Sequence, residues 1–94
     1  MTLKFSPAAV ADIGAIWDHT AETWGADRAD RYIDGIRDAC EALARDDVQG
    51  RKVELRPGYL KYPAGRHLVF FRMTGTGVEV IRVLHQRMDT ERHL

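Results

Sequence analysis

Several features are scarce in this 94-residue chain, and each absence removes a class of protein. Cys40 is the only cysteine, so no disulfide can form within the chain. No apolar run approaches the ~18 residues that a membrane-spanning helix needs. The N-terminus lacks the long apolar segment of a secretory signal peptide. These absences predict one cytoplasmic domain, residues 1–94, without membrane association.

The motifs of common catalytic and cofactor sites are also missing. The sequence contains neither a Walker loop nor a GxGxxG motif, and its cysteine and histidines lack zinc-ligand spacing. Ser6 is the only serine, and it stands before Pro7 in a helix-start pattern, which favours capping over catalysis. We therefore expect neither a metal site nor a cofactor.

The net charge of zero conceals an asymmetry between the two halves of the chain. Residues 1–50 hold five Lys/Arg and ten Asp/Glu, whereas residues 51–94 hold nine Lys/Arg and four Asp/Glu. The halves therefore carry −5 and +5. A basic half indicates an acidic or nucleic-acid partner only where its charges cluster in space, and scattered charges on a solvated surface are the alternative.

Apolar periodicity predicts two helices in the first half. The helix-start pair Ser6-Pro7 and an apolar stripe predict a first helix over residues 7–24, and Gly25 supplies its end. The short connection makes the second helix, residues 26–45, antiparallel to the first. The second apolar stripe places a buried, unreactive cysteine in the core and comprises Ala29, Tyr32, Ile33, Ile36, Cys40 and Leu43.

The second half has the pattern of a sheet. Thr74 to Gly77 is a tight hairpin sequence between two apolar runs, and a shorter alternating run precedes them. Val53 and Leu55 mark a further possible extended piece, and residues 87–94 a short helix or a loose tail. The order β-α-α-β-β-β predicts an α+β domain with the helical hairpin on one face of a mainly antiparallel sheet. The expected strands are residues 3–5, 59–62, 66–73 and 78–85.

The two longest strands should gather cationic side chains at one end of this sheet. In a hairpin centred on residues 75–76, facing residues have numbers that sum to about 151. This register places His67 near Leu84 and Arg66 near His85. The expected basic cluster contains Arg66, His67, His85 and Arg87, with Arg56 and Arg92 as further candidates.

The same register also sets Arg72 against Arg82 within the sheet. Two guanidinium groups at such positions need acidic or backbone partners, and Glu79 or an acidic residue from elsewhere is expected to supply them.

The basic cluster admits three interpretations. Arginines that hold phosphates and a histidine that transfers protons are sufficient for metal-free RNA cleavage. Alternatively, the arginines anchor the surface of a protein partner. The histidines can also be half-buried strand residues with satisfied hydrogen bonds.

The two tryptophans lie on one side of the first helix. Trp17 and Trp24 are seven residues apart, and a core position is the expectation for both. Trp24, at the helix end, is the better candidate for partial exposure. A domain this small can also leave part of its core groove open, which a partner helix would complete.

Four sequence motifs carry a resemblance that covers nearly the whole chain. Their order and spacing resemble those of the ParE toxins of type II toxin–antitoxin modules, within the RelE/ParE superfamily. The motifs are the SP-x-A-x-x-D-x-x-x-I-W pattern from Ser6 to Trp17, Arg56-Pro57-Gly58, Tyr62-Pro63-x-Gly65-Arg66-His67, and Arg82-Val83-Leu84-His85-x-Arg87-Met88-Asp89.

The resemblance implies a non-enzymatic bacterial toxin that inhibits DNA gyrase and is neutralised by a ParD-like antitoxin. The family's helical hairpin on an antiparallel sheet agrees with the fold predicted above. No sequence-specific DNA binding by this chain is expected. The residues expected to bind the target are Arg56, Arg66, His67, His85, Arg87 and Arg92, and those expected to bind the antitoxin are Trp17, Trp24 and Tyr32.

Two alternatives accompany this interpretation. The RelE branch of the superfamily cleaves ribosome-bound mRNA with Lys/Arg residues and a Tyr, Glu or His near the last strand. His85 and Arg87 fall in that region, and Arg66 would assist them. However, no tyrosine follows residue 62, and the expected lysine-rich segment is reduced to Lys52 and Lys61. The second alternative is a protein of the toxin fold without toxic activity.

Overall fold

The computed structural model describes residues 2–88 and residue 94. It confirms the predicted α+β class and element order, and adds one short strand after the helices. Residues 89–93, most of the predicted tail, lie outside the described residues. The elements are β1 (Thr2–Phe5), α1 (Pro7–Trp24), α2 (Ala26–Ala44), β2 (Arg51–Lys52), β3 (Leu60–Ala64), β4 (His67–Met73) and β5 (Gly77–His85).

The sheet has the strand order β1-β5-β4-β3-β2. β1 runs parallel to β5, and the other neighbouring strands are antiparallel, which confirms a mainly antiparallel sheet. At the start of the β1–β5 pair, a Cβ on Gly77 would overlap the carbonyl oxygen of Thr2. Glycine at this position therefore permits the close approach of the N-terminal strand.

The helical hairpin begins and turns where the sequence predicts. The Ser6 hydroxyl accepts a hydrogen bond from the Ala9 N–H (3.0 Å) and donates one to the Ile81 carbonyl (2.6 Å). The serine therefore caps α1 and also fixes its start to β5. Gly25, with φ of +91°, ends α1 and precedes α2 directly. Among the described residues, no helix is long and apolar enough to cross a bilayer.

Both faces of the sheet are covered, as the consecutive apolar residues predict. The helices pack on one face, where burial and the neighbouring Glu41 raise the pKa of the Cys40 thiol to about 11. The thiol is therefore neutral and buried, as expected. A second cluster covers the opposite face and comprises Val53, Phe70 and Leu84, with Tyr59, Leu68 and Leu94 packed against them.

Two predicted segments around β3 need correction. The extended piece expected at Val53 and Leu55 is wrong, because the strand lies earlier, at Arg51–Lys52, and Leu55 is 70% exposed in a turn. β3 also continues through Pro63 instead of ending there. β2 pairs only with the first two residues of β3, so Pro63 faces an open edge where its missing N–H costs no ladder bond.

A register shift between β4 and β5 changes the predicted pairing. From the hairpin to the Phe71–Val80 pair, the numbers of facing residues add up to about 151, as predicted. The next pair is Phe70 and Arg82, so Ile81 is an extra residue on β5. Beyond this bulge every pair is displaced by one residue. The expected pairing of His67 with Leu84 and of Arg66 with His85 is therefore wrong. His67 faces His85, and Arg66 accepts a hydrogen bond from the backbone N–H of Gln86 (3.0 Å).

The expectation that Arg72 and Arg82 oppose each other is also wrong. Arg72 faces Glu79 and forms an ion pair with it, with Nε and Oε1 2.7 Å apart. Arg82 contacts α1 instead, where its Nε and Nη2 donate to the two carboxylate oxygens of Asp12 at 2.7 and 2.8 Å. The predicted need for acidic partners, Glu79 among them, is confirmed.

Asp12 also accepts a hydrogen bond from the Val83 N–H (3.0 Å), immediately beyond the bulge. Its hydrogen bond with Arg82 raises the pKa of that guanidinium, which therefore stays charged. Asp12 therefore attaches α1 to the strand segment that leads to His85.

Candidate functional site

A polar cleft lies where the Gly25 end of the helical hairpin meets the end of the β4–β5 ladder. Its volume is about 570 Å³. Both helices, the turn between β3 and β4, and the end of β5 contribute to it. We call it the histidine cleft; it is lined by Ala15, Ile16, His19, Thr20 and Trp24 of α1, Arg28 and Tyr32 of α2, and Arg66, His67 and His85 of the sheet.

Tyr32 connects α2 to the turn between β3 and β4. Its hydroxyl accepts a hydrogen bond from the Arg66 N–H (3.0 Å) and lies 2.6 Å from His67 Nδ1. Because the Arg66 N–H is a donor, the tyrosine proton is free to be donated to Nδ1. Gly65 adopts φ of +62°, and a Cβ there would lie 2.8 Å from the Tyr32 ring. The tyrosine and the glycine together fix the turn.

His67 is held in its neutral form. Burial of the ring, followed by the neighbouring His85 and His19, lowers its pKa to about 4. A neutral ring has one nitrogen that accepts, which agrees with Nδ1 as the acceptor for Tyr32. The His67 ring makes edge contacts with Tyr32 on one side (centroids 5.5 Å apart) and His85 on the other (5.2 Å).

His85 is oriented by the chain that follows it. Its Nδ1 accepts a hydrogen bond from the Arg87 N–H (3.1 Å), so the neutral ring carries its proton on Nε2. The Gln86 side chain donates to the Gly65 carbonyl (3.2 Å) and joins the end of β5 to the turn between β3 and β4. These bonds close the sheet side of the cleft.

The structure brings together most of the predicted basic cluster. Arg66, His67 and His85 line the cleft, and Arg87 is exposed directly beyond it. Arg56 does not join them, contrary to expectation. It lies in the loop before β3, at the opposite end of that strand from the turn that holds Arg66. Arg92 lies outside the described residues.

The aromatic residues divide between the core and the cleft. Trp17 packs against the core as expected, and its Nε1 donates to Asp30 (2.8 Å). The core expectation is wrong for Trp24, which is 61% exposed at the helix end, where partial exposure was more readily expected. The Arg28 guanidinium lies over the Trp24 ring, 4.6 Å from its centroid.

Sequence reasoning missed the contribution of the helices to this site. His19 and Arg28 line the cleft, and neither belongs to the predicted basic cluster. The spacing along α2 could have indicated Arg28, because it lies four residues before Tyr32 and therefore on the same helix face. The position of His19 depends on how α1 crosses the sheet, which the periodicity does not specify.

A second, smaller concavity lies toward the open end of the helical hairpin. Its volume is about 170 Å³, and apart from one arginine its walls are apolar. Val10 on its rim is 58% exposed. The open groove expected of so small a domain is therefore present. We call it the apolar groove; its lining residues are Phe5, Val10, Ile13, Ile33, Ile36 and Arg37.

The chemistry available in the histidine cleft is that of anion binding. Arg28 and Arg66 supply guanidinium donors, and the histidines add ring nitrogens. Across residues 2–88 and 94, no three His, Cys, Asp or Glu side chains are grouped closely enough to hold a metal ion.

The helical hairpin on a mainly antiparallel sheet defines the class of RelE/ParE-fold toxins. The solved structure of the chromosomal ParDE toxin–antitoxin system from P. aeruginosa superposes with a TM-score of 0.80 at 26% identity and covers 90% of this chain and 95% of that one. The RelBE2 complex from Mycobacterium tuberculosis superposes with a TM-score of 0.63 at 19% identity and covers 90% of this chain and 96% of that one. This similarity supports the fold alone.

Sequence comparison narrows the class to one family. The family model described as the ParE toxin of the type II toxin-antitoxin system parDE matches residues 3–90. Toxin ParE1 of Mycobacterium tuberculosis is 47% identical over 91 residues, covering 95% of this chain and 93% of the relative. Toxin ParE1 of Caulobacter vibrioides is 38% identical over 92 residues, with coverage of 97% and 95%. The chain belongs to the ParE family of type II toxins, which confirms the resemblance noted in its sequence.

Proposed function

We propose that this ParE-family chain inhibits DNA gyrase, thereby blocks replication, and is held inactive by a ParD-like antitoxin. The observation that carries the proposal is the family match over residues 3–90. Two relatives named as ParE1 toxins also align with this chain over almost their whole length. The related structure described as a ParDE toxin–antitoxin system supports an antitoxin partner. Both proposed partners are cytoplasmic, so the proposal places the chain in the cytoplasm.

The proposed antitoxin surface centres on the apolar groove. An amphipathic segment binds such a groove through a row of apolar side chains, and the exposed Val10 on its rim offers one contact. Arg37 at the edge is positioned to pair with an acidic residue of the partner.

Of the antitoxin contacts expected from the sequence, Trp24 retains the largest role in this proposal because most of its side chain is exposed. Trp17 and Tyr32 already use their polar atoms within the chain, in bonds to Asp30 and to the turn at Arg66. We assign these two residues to the support of the fold, and Trp24 to a separate antitoxin contact at the Gly25 end of the hairpin, outside the apolar groove.

The proposed target surface is the rim of the histidine cleft. Arg66 and Arg87 are exposed there, and His67 and His85 lie beside them. One nitrogen of each histidine ring is already engaged, with Tyr32 or with the Arg87 backbone. This engagement orients both rings on the rim, and we propose from the family match that the toxin acts by binding, without catalysis.

Supercoiling by purified gyrase tests this proposal. The wild-type chain should inhibit the reaction, and Arg87→Ala should weaken the inhibition because it removes an exposed cation at the rim. Arg56→Ala is the matched control, since it removes an exposed arginine far from the cleft. Unchanged supercoiling at a large excess of the wild-type chain would refute the gyrase target.

One observation favours a second candidate, cleavage of ribosome-bound mRNA. The His67 and His85 rings have their centroids 5.2 Å apart in a cleft that also contains Arg66, a set able to hold a phosphate and move a proton. Cleavage of ribosome-bound mRNA by the wild-type chain, abolished by His85→Ala, would establish this function. Intact mRNA after incubation with translating ribosomes would eliminate it.

A further inference from the structure

The histidine cleft has a one-sided charge pattern in a chain of zero net charge. Two arginines and three histidines line it, and no carboxylate lines it among the residues that the structure describes. The helices that form two of its walls are otherwise rich in acidic residues. Such segregation of charge favours an anionic occupant.

The donors in the cleft exceed what a single carboxylate can use. Each guanidinium group of Arg28 and Arg66 presents five N–H donors, and His85, whose Nδ1 accepts from the Arg87 N–H, adds Nε2–H. A carboxylate has two oxygens, whereas a terminal phosphate has three. The surplus of donors therefore matches a phosphate better than an acidic side chain.

Part of the wall that α1 contributes to the cleft is apolar. Ala15 and Ile16 of α1 line it, and Trp24 extends it at the helix end. Arg28 already stacks on the Trp24 ring, a geometry in which a guanidinium can still donate at its edge. A ligand that fills the cleft therefore needs a flat, largely apolar group beside its anionic one.

The size of the cleft fits a ligand that combines these two groups. Its volume of about 570 Å³ lies in the roughly 300–1,000 Å³ range of small-molecule sites. We propose that the histidine cleft binds a nucleoside monophosphate. The phosphate contacts Arg66 and Arg28, and the base lies against Ile16 and Trp24. This site goes beyond gyrase inhibition and does not depend on it.

Nuclear magnetic resonance titration tests the proposal with adenosine monophosphate as the probe. At pH 7.5 and constant ionic strength, the ring resonances of His19, His67 and His85 should shift saturably. Inorganic phosphate and adenosine should each bind more weakly, because each fills half of the cleft. No saturable shift up to about 10 mM nucleotide, or equal affinity for inorganic phosphate, would overturn the proposal.

Variants connect the shifts to the cleft. Arg66→Ala should weaken binding about tenfold, the usual cost of one charge-assisted hydrogen bond, and its exposed side chain leaves the fold intact. Arg56→Ala should bind like the wild type. Equal affinity of the Arg66 variant and the wild type would contradict the proposed phosphate contact.

Two further ligands distinguish the source and the chemistry. A 5′-phosphorylated trinucleotide that binds more tightly than the mononucleotide would support the proposal and identify a nucleic-acid strand as the source. Equal binding would support it with a free nucleotide as the source. A triglutamate peptide that binds as tightly as the nucleotide would overturn it, since the cleft would then recognise carboxylates.

Discussion

The two ends of the helical hairpin present different surfaces although the same two helices build both. Toward the open end, the apolar groove contains a single charged residue, Arg37, and exposes Val10. At the Gly25 end, the histidine cleft contains arginines and histidines, and Tyr32 of α2 is hydrogen-bonded there to Arg66 and His67. The groove is thus defined by packing, and the cleft by directional polar contacts.

This difference indicates how one small domain can hold two binding surfaces. An apolar groove accepts a partner helix by burial of area, with little angular requirement. A polar cleft needs its donors fixed beforehand, and here Tyr32 and Gln86 fix them through the turn at Gly65. The predicted consequence is that each surface can be disabled without the other.

Antitoxin binding to the apolar groove should be weakened most strongly by a charge that the bound antitoxin would bury. Val10→Asp places a carboxylate on the apolar rim, and we expect antitoxin affinity to fall by about 2–4 kcal/mol, the range of an interface hot spot. Isothermal titration calorimetry with the antitoxin measures this change. Ala11→Asp is the control, because it adds the same charge to the same helix at an exposed position outside the groove. Equal affinities of the two variants would show that the antitoxin binds elsewhere.

The next largest effect should come from breaking the attachment of α1 to the sheet, and it should appear in the stability of the fold. Asp12→Ala removes the partner of Arg82 and the acceptor of the Val83 N–H, and the Asp12 side chain is only 15% exposed. We expect the free energy of unfolding in urea to fall by about 2–3 kcal/mol.

Asp12→Asn supplies the control for this prediction, since its amide oxygen still accepts one hydrogen bond. It should lose less stability than the alanine variant. Stabilities within about 0.5 kcal/mol of the wild type for both variants would mean that the bulge holds its register without Asp12.

A smaller loss should follow from Tyr32→Phe. The change leaves the Arg66 N–H and His67 Nδ1 without their hydroxyl partner, which should cost about 1–2 kcal/mol of stability. Antitoxin affinity should stay unchanged, because the groove does not include this residue. A fall in antitoxin affinity that matches Val10→Asp would contradict the separation of the two surfaces.

The smallest predicted effect is a pH dependence that belongs to the cleft. The pKa of His67 is about 4 in the folded chain and 6.5 when unperturbed, so the unfolded state binds the proton first as pH falls. Stability should therefore decrease between pH 6.5 and 4, and level off below. The ring is only partly buried, so we expect about 1 kcal/mol after allowance for solvent screening.

Urea unfolding at several pH values measures this contribution of His67 to stability. His67→Asn keeps an acceptor for Tyr32 but does not titrate, so it should flatten the curve over that interval. A variant with the same pH dependence as the wild type would assign the effect to other groups.

The elements of this fold were predictable because their signals are local. The Ser6 cap, the Gly25 turn and the hairpin at Thr74 to Gly77 each depend on a few adjacent residues. The apolar stripe of α2 likewise identifies its buried face. Burial of both sheet faces follows from the consecutive apolar residues of β4.

The composition of the cleft was less predictable because its determinants are distant in sequence. The pairing of His67 with His85 depends on the extra residue Ile81, and Asp12 binds the strand beyond it from 71 positions away. The contributions of the helices require the crossing angle of α1 over the sheet, which periodicity does not contain. Sequence reasoning therefore gave the basic cluster but displaced its pairs by one residue.

The supercoiling assay with purified gyrase, chain and antitoxin tests the central claim most directly. The wild-type chain should inhibit supercoiling, and preincubation with the antitoxin should restore it. Val10→Asp should still inhibit but resist the antitoxin, because only the groove is altered. Full supercoiling activity at a large excess of the antitoxin-free chain would contradict the account.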